Sequence, residues 1–352
     1  MVQSTRYHEL FVVGKPRELG RQHGEASREQ IRGFCEIALR QVNRMMRVSR
    51  ESALQIARES AAFVRSYAPD LLDELQGTAE GAGVSLDDLM LLQVRNQLQP
   101  DGAGAEGCTS LSTANGAARL VAQNWDNDPE LDAFTIVLTR KPDGKPAVTT
   151  VGQAGLIGYI GFNDAGIGLC LNTLPAPSRR LGVPHYFQVR RIYEACSLDD
   201  AVDAVRRAER AIPANIMLMT PQGPADLEVT IDDVRVLTGG ESKLVTHTNH
   251  CLHNDFLPIN DQFPELIQSH ARLRRIGELV GSNGHDFSVQ TVQHGLRDHQ
   301  DHPRSICRHP NDDPVHGFWS TVFSVIIEPD ERRMWVSRGT PCDHPYEVYE
   351  MR

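Results

Sequence analysis

The stretch Glu106-Gly107-Cys108-Thr109-Ser110, with Gln123-Asn124-Trp125-Asp126 a short distance on, decides how the rest of this chain is read. A turn-prone approach, Asp101-Gly102-Ala103-Gly104-Ala105, gives way at the Gly-Cys step to a run that alternates polar and apolar residues as a strand does. A peptide bond at such a junction suits self-cleavage. Scission between Gly107 and Cys108 would turn an internal thiol into an N-terminal residue carrying both a nucleophilic sulfur and a free α-amine. An α-amine titrates at roughly 7.7–8.0 and a thiol at about 8.5, so near neutral pH the amine can serve as base for its own side chain, with no histidine required. Glycine before the cysteine leaves room for the strained backbone of an N-to-S acyl shift.

Upstream of this step, Leu10-Phe11-Val12-Val13 reads as a short strand leading through Gly14-Lys15-Pro16 into a mostly helical region. Ile31, Phe34, Cys35, Ala38, Val42, Met45 and Met46 recur at three- and four-residue steps, an apolar stripe that belongs to a core rather than to a cofactor. Leu54, Ala57, Ala61 and Val64 form a second helix. Pro69-Asp70 opens a third through Leu71, Leu72 and Leu75, and Ser85 caps a fourth through Leu89 and Leu92. Everything before Asp101 thus reads as helical wrapping.

Downstream the period changes to two. Leu120–Asn124, Phe134–Leu138, Ala147–Val151, Gly158–Phe162 and Ile167–Asn172 are short β-prone runs, with Pro142-Asp143-Gly144 and Asn163-Asp164-Ala165-Gly166 as hairpin connections, and they predict an antiparallel sheet. Helical patterns return at 185–209, then strands at Ile216–Met219, Ala225–Val229 and Lys243–Asn249. Helices at 263–281 and 287–297 precede a last hairpin, Thr321–Ile327 with Arg333–Ser337. Strands clustered between helical blocks imply an α+β fold in which sheets lie face to face with helices outside, as one compact unit without internal repeats.

Composition bounds the function. The 352 residues, 40% of them hydrophobic, can bury a large core. A formal net charge of −10 argues against nucleic acid. The N-terminus lacks a basic start followed by a long apolar segment, and no run of about 18 apolar residues occurs, so the expectation is a cytoplasmic protein with no membrane partner. Seven cysteines (35, 108, 170, 196, 251, 307 and 342) form no CxxC pair, which suggests neither a disulfide framework nor a zinc ribbon. The bland reading of each is a packed thiol; Cys108 departs from it through its neighbours.

Gly107-Cys108-Thr109, Gln123-Asn124-Trp125-Asp126, Gly161-Phe162-Asn163-Asp164-Ala165-Gly166 leading to Asn172, and Thr248-Asn249-His250, taken in that order, resemble the isopenicillin-N acyltransferase family of N-terminal-nucleophile hydrolases. These are similar in turn to bile-salt hydrolases and acid-ceramidase-type amidases. The resemblance extends to Gly14–Gly24, Leu296-Arg297-Asp298-His299 and Ser305-Ile306-Cys307, and so covers nearly the whole chain. It implies a four-layer αββα sandwich with a helical N-terminal segment, 1–107, parted by autoproteolysis from a catalytic segment, 108–352, with which it stays associated. It also implies a terminal cysteine nucleophile that cleaves or transfers an acyl group held in amide linkage.

Under that resemblance Cys108 attacks the carbonyl. Asp126, at the end of a β-patterned run, holds the new amine and tunes its basicity; its alternative is a loop or capping carboxylate. Asn249 and Asn172 resemble the polar groups around the oxyanion, where losing one donor typically costs ~10²–10³ in rate, or are turn-satisfying asparagines. Thr109, Ser110 and Asn124 support the nucleophile. The substrate is a small N-acyl compound; no cofactor and no metal is expected, and a homo-oligomer stays open. His294, His299, His302 and His309, interleaved with Asp298 and Asp301, invite a metal reading, but the spacing is not HExxH and Pro303 favours a loop, read here as shaping the substrate pocket. Coenzyme A phosphates would want basic contacts; Arg179-Arg180 and Arg190-Arg191 are the tight pairs of the middle region, and surface solvation explains them equally well. Hydrolysis is therefore preferred over transfer to an amine, with an uncut metal-dependent or non-enzymatic protein as the third possibility.

Overall fold

The structure is a computed structural model that describes residues 5–45, 47–99, 107–115, 119–263, 268–281, 287–313 and 317–352; the turn-prone approach at 101–106 lies outside them. The helical region opens with β1 (His8–Gly14) and runs through α1 (Pro16–Ala26), α2 (Arg28–Met45), α3 (Arg50–Tyr67), α4 (Pro69–Ala82) and α5 (Leu86–Val94). Proline starts α1 and α4, where the missing N–H would have had no helical partner. The Ser49 and Ser85 hydroxyls accept the N–H of Ser52 and Asp88 and so fix where α3 and α5 begin. Helices α1 and α4 meet through glycines. A Cβ at Gly20 would fall 1.9 Å from the Glu74 carbonyl oxygen, and one at Gly77 would fall 2.2 Å from that of Arg17, an approach only glycine permits.

The remainder comprises β2 (Thr109–Thr113), β3 (Leu120–Asn127), β4 (Thr135–Pro142), β5 (Val148–Gln153), β6 (Ile160–Asn163), β7 (Gly168–Asn172), α6 (His185–Ile192), α7 (Leu198–Arg206), β8 (Ala214–Thr220), β9 (Gly223–Val229) and β10 (Val234–Thr238). It continues with β11 (Leu244–His247), α8 (Ile259–Gln262), α9 (Ser269–Gly281), α10 (Val289–Leu296), β12 (Ser320–Glu328), β13 (Arg333–Arg338) and β14 (Tyr346–Glu350). An eight-stranded sheet has the order β1-β4-β5-β6-β7-β8-β9-β10, and a six-stranded sheet the order β11-β2-β3-β12-β13-β14. Strands β2 and β3 face β7 and β8, α1 and α2 lie on β4 and β5, and α9 and α10 lie on the far side of the six-stranded sheet. The layers are therefore helix, sheet, sheet, helix.

Three features differ from the sequence reading. The strands between 120 and 172 divide between the two sheets, because the 3-10 turn Pro129–Phe134 carries the chain from β3 across to β4. Strand β1 pairs in parallel with β4, His8 opposite Ile136, so the N-terminal segment supplies an edge strand as well as a wrapping. Arg190 is not a surface residue: it is 1% exposed and sits 3.5 Å from Glu74, which also accepts a hydrogen bond from the buried Arg140 at 2.8 Å. Burial pushes the Arg140 guanidinium down to about 10 despite the Glu74 charge. This ion cluster fastens α4 to β4 and α6.

Candidate active site

Period-two alternation sorts the side chains of β2 and β3 between two environments. Val121 and Trp125 point between the sheets and share a core with Cys108, whereas Leu111, Leu120 and Ala122 face outward against Ile276 and Val280 of α9 and Val292 and Leu296 of α10. Trp125 stacks on Phe323 with ring centroids 4.9 Å apart, walling the inner side. Cys108 is fully buried there. It neighbours Cys170 of β7, whose thiol is pushed well up by burial and further by Cys108.

Strands β2 and β3 pair Thr109 with Asn124 and Ser110 with Gln123, so the ladder stops one residue past Cys108 and Asp126 lies two residues beyond its last pair on β3. Asp126 is fully buried; its carboxylate accepts hydrogen bonds from the Thr321 hydroxyl at 2.7 Å and from Arg308 Nε at 3.3 Å. Burial pushes this carboxyl up to about 6, outweighing the opposing pull of Arg308, Thr321 and Arg272. Arg308 is 2% exposed, and burial likewise lowers its guanidinium below the ordinary arginine value. Its Nη2 is buried and has no hydrogen-bond partner among the described residues. A Cβ at Gly107 would lie 3.3 Å from Arg308 Nε and Nη2. A donor without an acceptor thus lies against the residue whose carbonyl self-cleavage would attack.

A second buried arginine holds the other side of the Gly-Cys step. Arg272 of α9 donates through Nη1 to the Cys108 carbonyl and to Thr109 Oγ1 (2.9 Å), and through Nη2 to Asn249 Oδ1 (2.8 Å). Asn249 is fixed further: its Nδ2 donates to the Thr173 carbonyl at 3.0 Å, and its backbone N–H donates to Ser269 Oγ at 2.7 Å. Cys108, Thr109 and Asn249 therefore share one cation, while Gly107 and Asp126 share the other.

The remaining expected residues sit differently. Asn172 donates from Nδ2 to the carbonyls of Thr248 (2.9 Å) and His247 (3.4 Å) and accepts from Gln123, so its amide ties β7 to the chain leaving β11. Asn124 faces outward and donates to the carbonyls of Leu296 and Ile306 at 2.8 and 3.0 Å, tying β3 to the segment that carries Arg308. Ser110 Oγ donates to the His247 carbonyl at 3.4 Å across the β2–β11 pairing. Arg272, Arg308, Thr321 and Ser269 escaped the sequence reading. The available signal was that Arg308 directly follows the matched stretch ending at Cys307. A cavity of about 640 Å³ reaches Thr321 and His309, and Cys108 is not among its lining residues.

Two facing sheets between helical layers, with a Gly-Cys step opening an inner strand of the six-stranded sheet, define an N-terminal-nucleophile hydrolase fold. Residues 112–343 match the family described as acyl-coenzyme A:6-aminopenicillanic acid acyl-transferase, and the chain belongs to that family. It is an enzyme of the acyltransferase and amidohydrolase class. The chain is 28% identical over 343 residues, 96% of this chain and 94% of the relative, to the 40 kDa form of acyl-coenzyme A:6-aminopenicillanic-acid-acyltransferase of Emericella nidulans. It is 27% identical over 330 residues, 82% of each chain, to a β-alanyl-dopamine/carcinine hydrolase of Drosophila melanogaster. Among solved structures it is similar to a penicillin V acylase from Agrobacterium tumefaciens (TM-score 0.45, 11% identity, 65% of this chain and 82% of that one). It is also similar to a variant of the conjugated bile acid hydrolase from Clostridium perfringens (TM-score 0.46, 10% identity, 70% and 97%). No helix among the described residues is long and apolar enough to cross a membrane.

Proposed function

We propose that the chain is an autoproteolytic cysteine amidohydrolase that cleaves a small N-acyl compound through a thioester on Cys108. One observation carries this reading: Gly107 lies against the unpartnered Nη2 of Arg308, whose Nε donates to the raised carboxyl of Asp126, while Arg272 grips the Cys108 carbonyl. In the uncut chain the Cys108 sulfur attacks the Gly107 carbonyl carbon as its proton passes to Asp126, and Arg308 donates to the resulting oxyanion. Collapse breaks the C–N bond, and the Cys108 nitrogen takes the proton back from Asp126 and leaves as an amine, with the Gly107 acyl group on sulfur. Water then hydrolyses that thioester to a Gly107 carboxylate and a free Cys108 thiol. Full burial of the thiol suits this stage, because the carbonyl it attacks belongs to the preceding residue and no substrate has to enter.

After scission the α-amine becomes the base for the thiol and Asp126 its carboxylate neighbour. The second Nδ2 hydrogen of Asn249, beyond the one given to Thr173, serves the substrate oxyanion. Asn172 acts as a positioning residue, since its donors are already spent on the chain that carries Asn249. The β1–β4 ladder and the Glu74–Arg140 pair keep the two segments associated without a peptide bond between them. Transfer of the acyl group to an amine is the second reading, favoured by the similarity to the Emericella enzyme.

Denaturing electrophoresis tests the proposal: wild type yields fragments 1–107 and 108–352, and Cys108→Ala stays a single band. A wild-type preparation that remains whole and still hydrolyses N-acyl substrates overturns it. Added amines competing with water for the acyl group separate transfer from hydrolysis.

A further inference from the structure

Outside the site described above, the loop before β12 and the loop after β13 bring His299, Cys307, His309 and Cys342 together, one potential ligand atom from each within 4.8 Å of the others. The two histidine Nε2 atoms are 3.1 Å apart, and His309 Nε2 lies 3.2 Å from Cys342 Sγ and 3.8 Å from Cys307 Sγ. The two sulfurs are 3.6 Å apart. A tetrahedral zinc ion with bonds of about 2.3 Å to sulfur and about 2.0–2.1 Å to nitrogen has ligand-to-ligand edges of roughly 3.3–3.8 Å, which these separations approach. The far ring nitrogen of His309, Nδ1, faces the Asp343 carboxylate at 4.0 Å, on the side from which a carboxylate orients a metal-bound imidazole.

We propose that these four side chains form a structural zinc site. Two thiolates and two imidazoles satisfy a tetrahedral ion completely and leave no position for substrate, and soft sulfur with imidazole selects zinc over magnesium or calcium. The site differs from the histidine–aspartate grouping that the sequence suggests. Asp298 is spent on Arg275 at 2.6 Å, and His294 is exposed on α10. Cys342 arrives from beyond β13, too distant along the chain for any local motif to flag it. Cys307 and His309 flank Arg308, so an ion held by both fixes the backbone from which that guanidinium reaches Asp126 and Gly107. This positioning role rests on the proposed self-cleavage; the metal site itself does not.

The test is metal analysis of untagged protein purified without chelator, which should carry about one zinc per chain. His299→Ala, at an exposed ligand whose loss leaves the core intact, and Cys342→Ser should each abolish the stoichiometric zinc, and Cys196→Ser, at an exposed cysteine outside the cluster, should retain it. Cobalt titrated into metal-depleted protein should give the intense visible bands and thiolate charge transfer of a tetrahedral sulfur-containing site. Metal-free protein that takes up neither ion while its thiols are reduced overturns the proposal. So does a Cys307–Cys342 disulfide in peptide maps, or full zinc retention in the His299→Ala, Cys342→Ser double variant. Zinc bound to an uncut chain would sink the self-cleavage reading and leave the site standing; a cut chain that binds no zinc would do the reverse.

Discussion

Replacing Asp126 by Asn probes the chemistry most directly. Asn keeps the side-chain shape and an acceptor for the Thr321 hydroxyl, but it removes the proton acceptor proposed for self-cleavage and the negative charge facing Arg308. With the carboxyl pushed up to about 6, the basic form dominates above that pH and falls about tenfold per unit below it. Wild-type scission should therefore rise with pH through about 6 and then plateau. Asp126→Asn should lose roughly 10²–10⁴ in rate at neutral pH and lose that acid limb. Stability carries the opposite sign. Because the folded value lies above the unfolded one of about 3.9, this group's contribution is fully present below about 3.9 and is lost as pH rises through about 6. Removing one member of a buried pair costs about 3–5 kcal/mol, and since desolvation of Asp126 already outweighs its attraction to Arg308, the lower end is expected. The assay is pulse-labelled translation of the full chain, chased at several pH values and resolved by denaturing electrophoresis, with urea melts beside it. Asp126→Glu, which keeps the charge, should retain the acid limb at reduced rate even where the amide variant folds poorly. Cleavage of Asp126→Asn at the wild-type rate with an unchanged acid limb would refute the role given to this carboxylate.

Asn249→Ala should lower kcat on an N-acyl substrate by about 10²–10³ with KM changing much less, because the lost donor acts on charge that develops in the transition state. An unaltered kcat would remove Asn249 from the oxyanion site. Glu74→Gln leaves Arg140 and Arg190 buried without their anion, and should cost about 3–5 kcal/mol in urea denaturation. A loss inside experimental error would mean that the cluster contributes nothing to joining α4 to β4.

The helix cap at Ser85, the helix start at Pro69, the stripe from Ile31 to Val42, the β12–β13 hairpin and the change of period at Cys108 were all readable from consecutive residues. Cys108, Asp126 and Asn249 were singled out from consecutive residues as well; Arg272 joins the Cys108 carbonyl to Asn249, and Arg308 pairs with Asp126. The roles of Asn172 and Asn124 were not readable. The residue type announces an amide, but only the fold shows that both side chains spend their N–H groups on backbone carbonyls of distant segments. Arg308 was hidden for a related reason: it follows matched residues yet earns its place only through Asp126 and Gly107, far upstream.

By itself the sequence determined the periodicities, the turns and the Gly-Cys step, because each depends on neighbours within a few residues and on the intrinsic chemistry of thiol and amine. Tertiary structure decided that β1 closes onto β4 in parallel, that the middle strands split between two sheets, and that two histidines and two cysteines from separate loops converge. Those outcomes depend on sheet register and on loop closure over long chain separations. Burial, which sets the Asp126 carboxyl near about 6, belongs with them, since a side chain loses its water only when remote segments cover it.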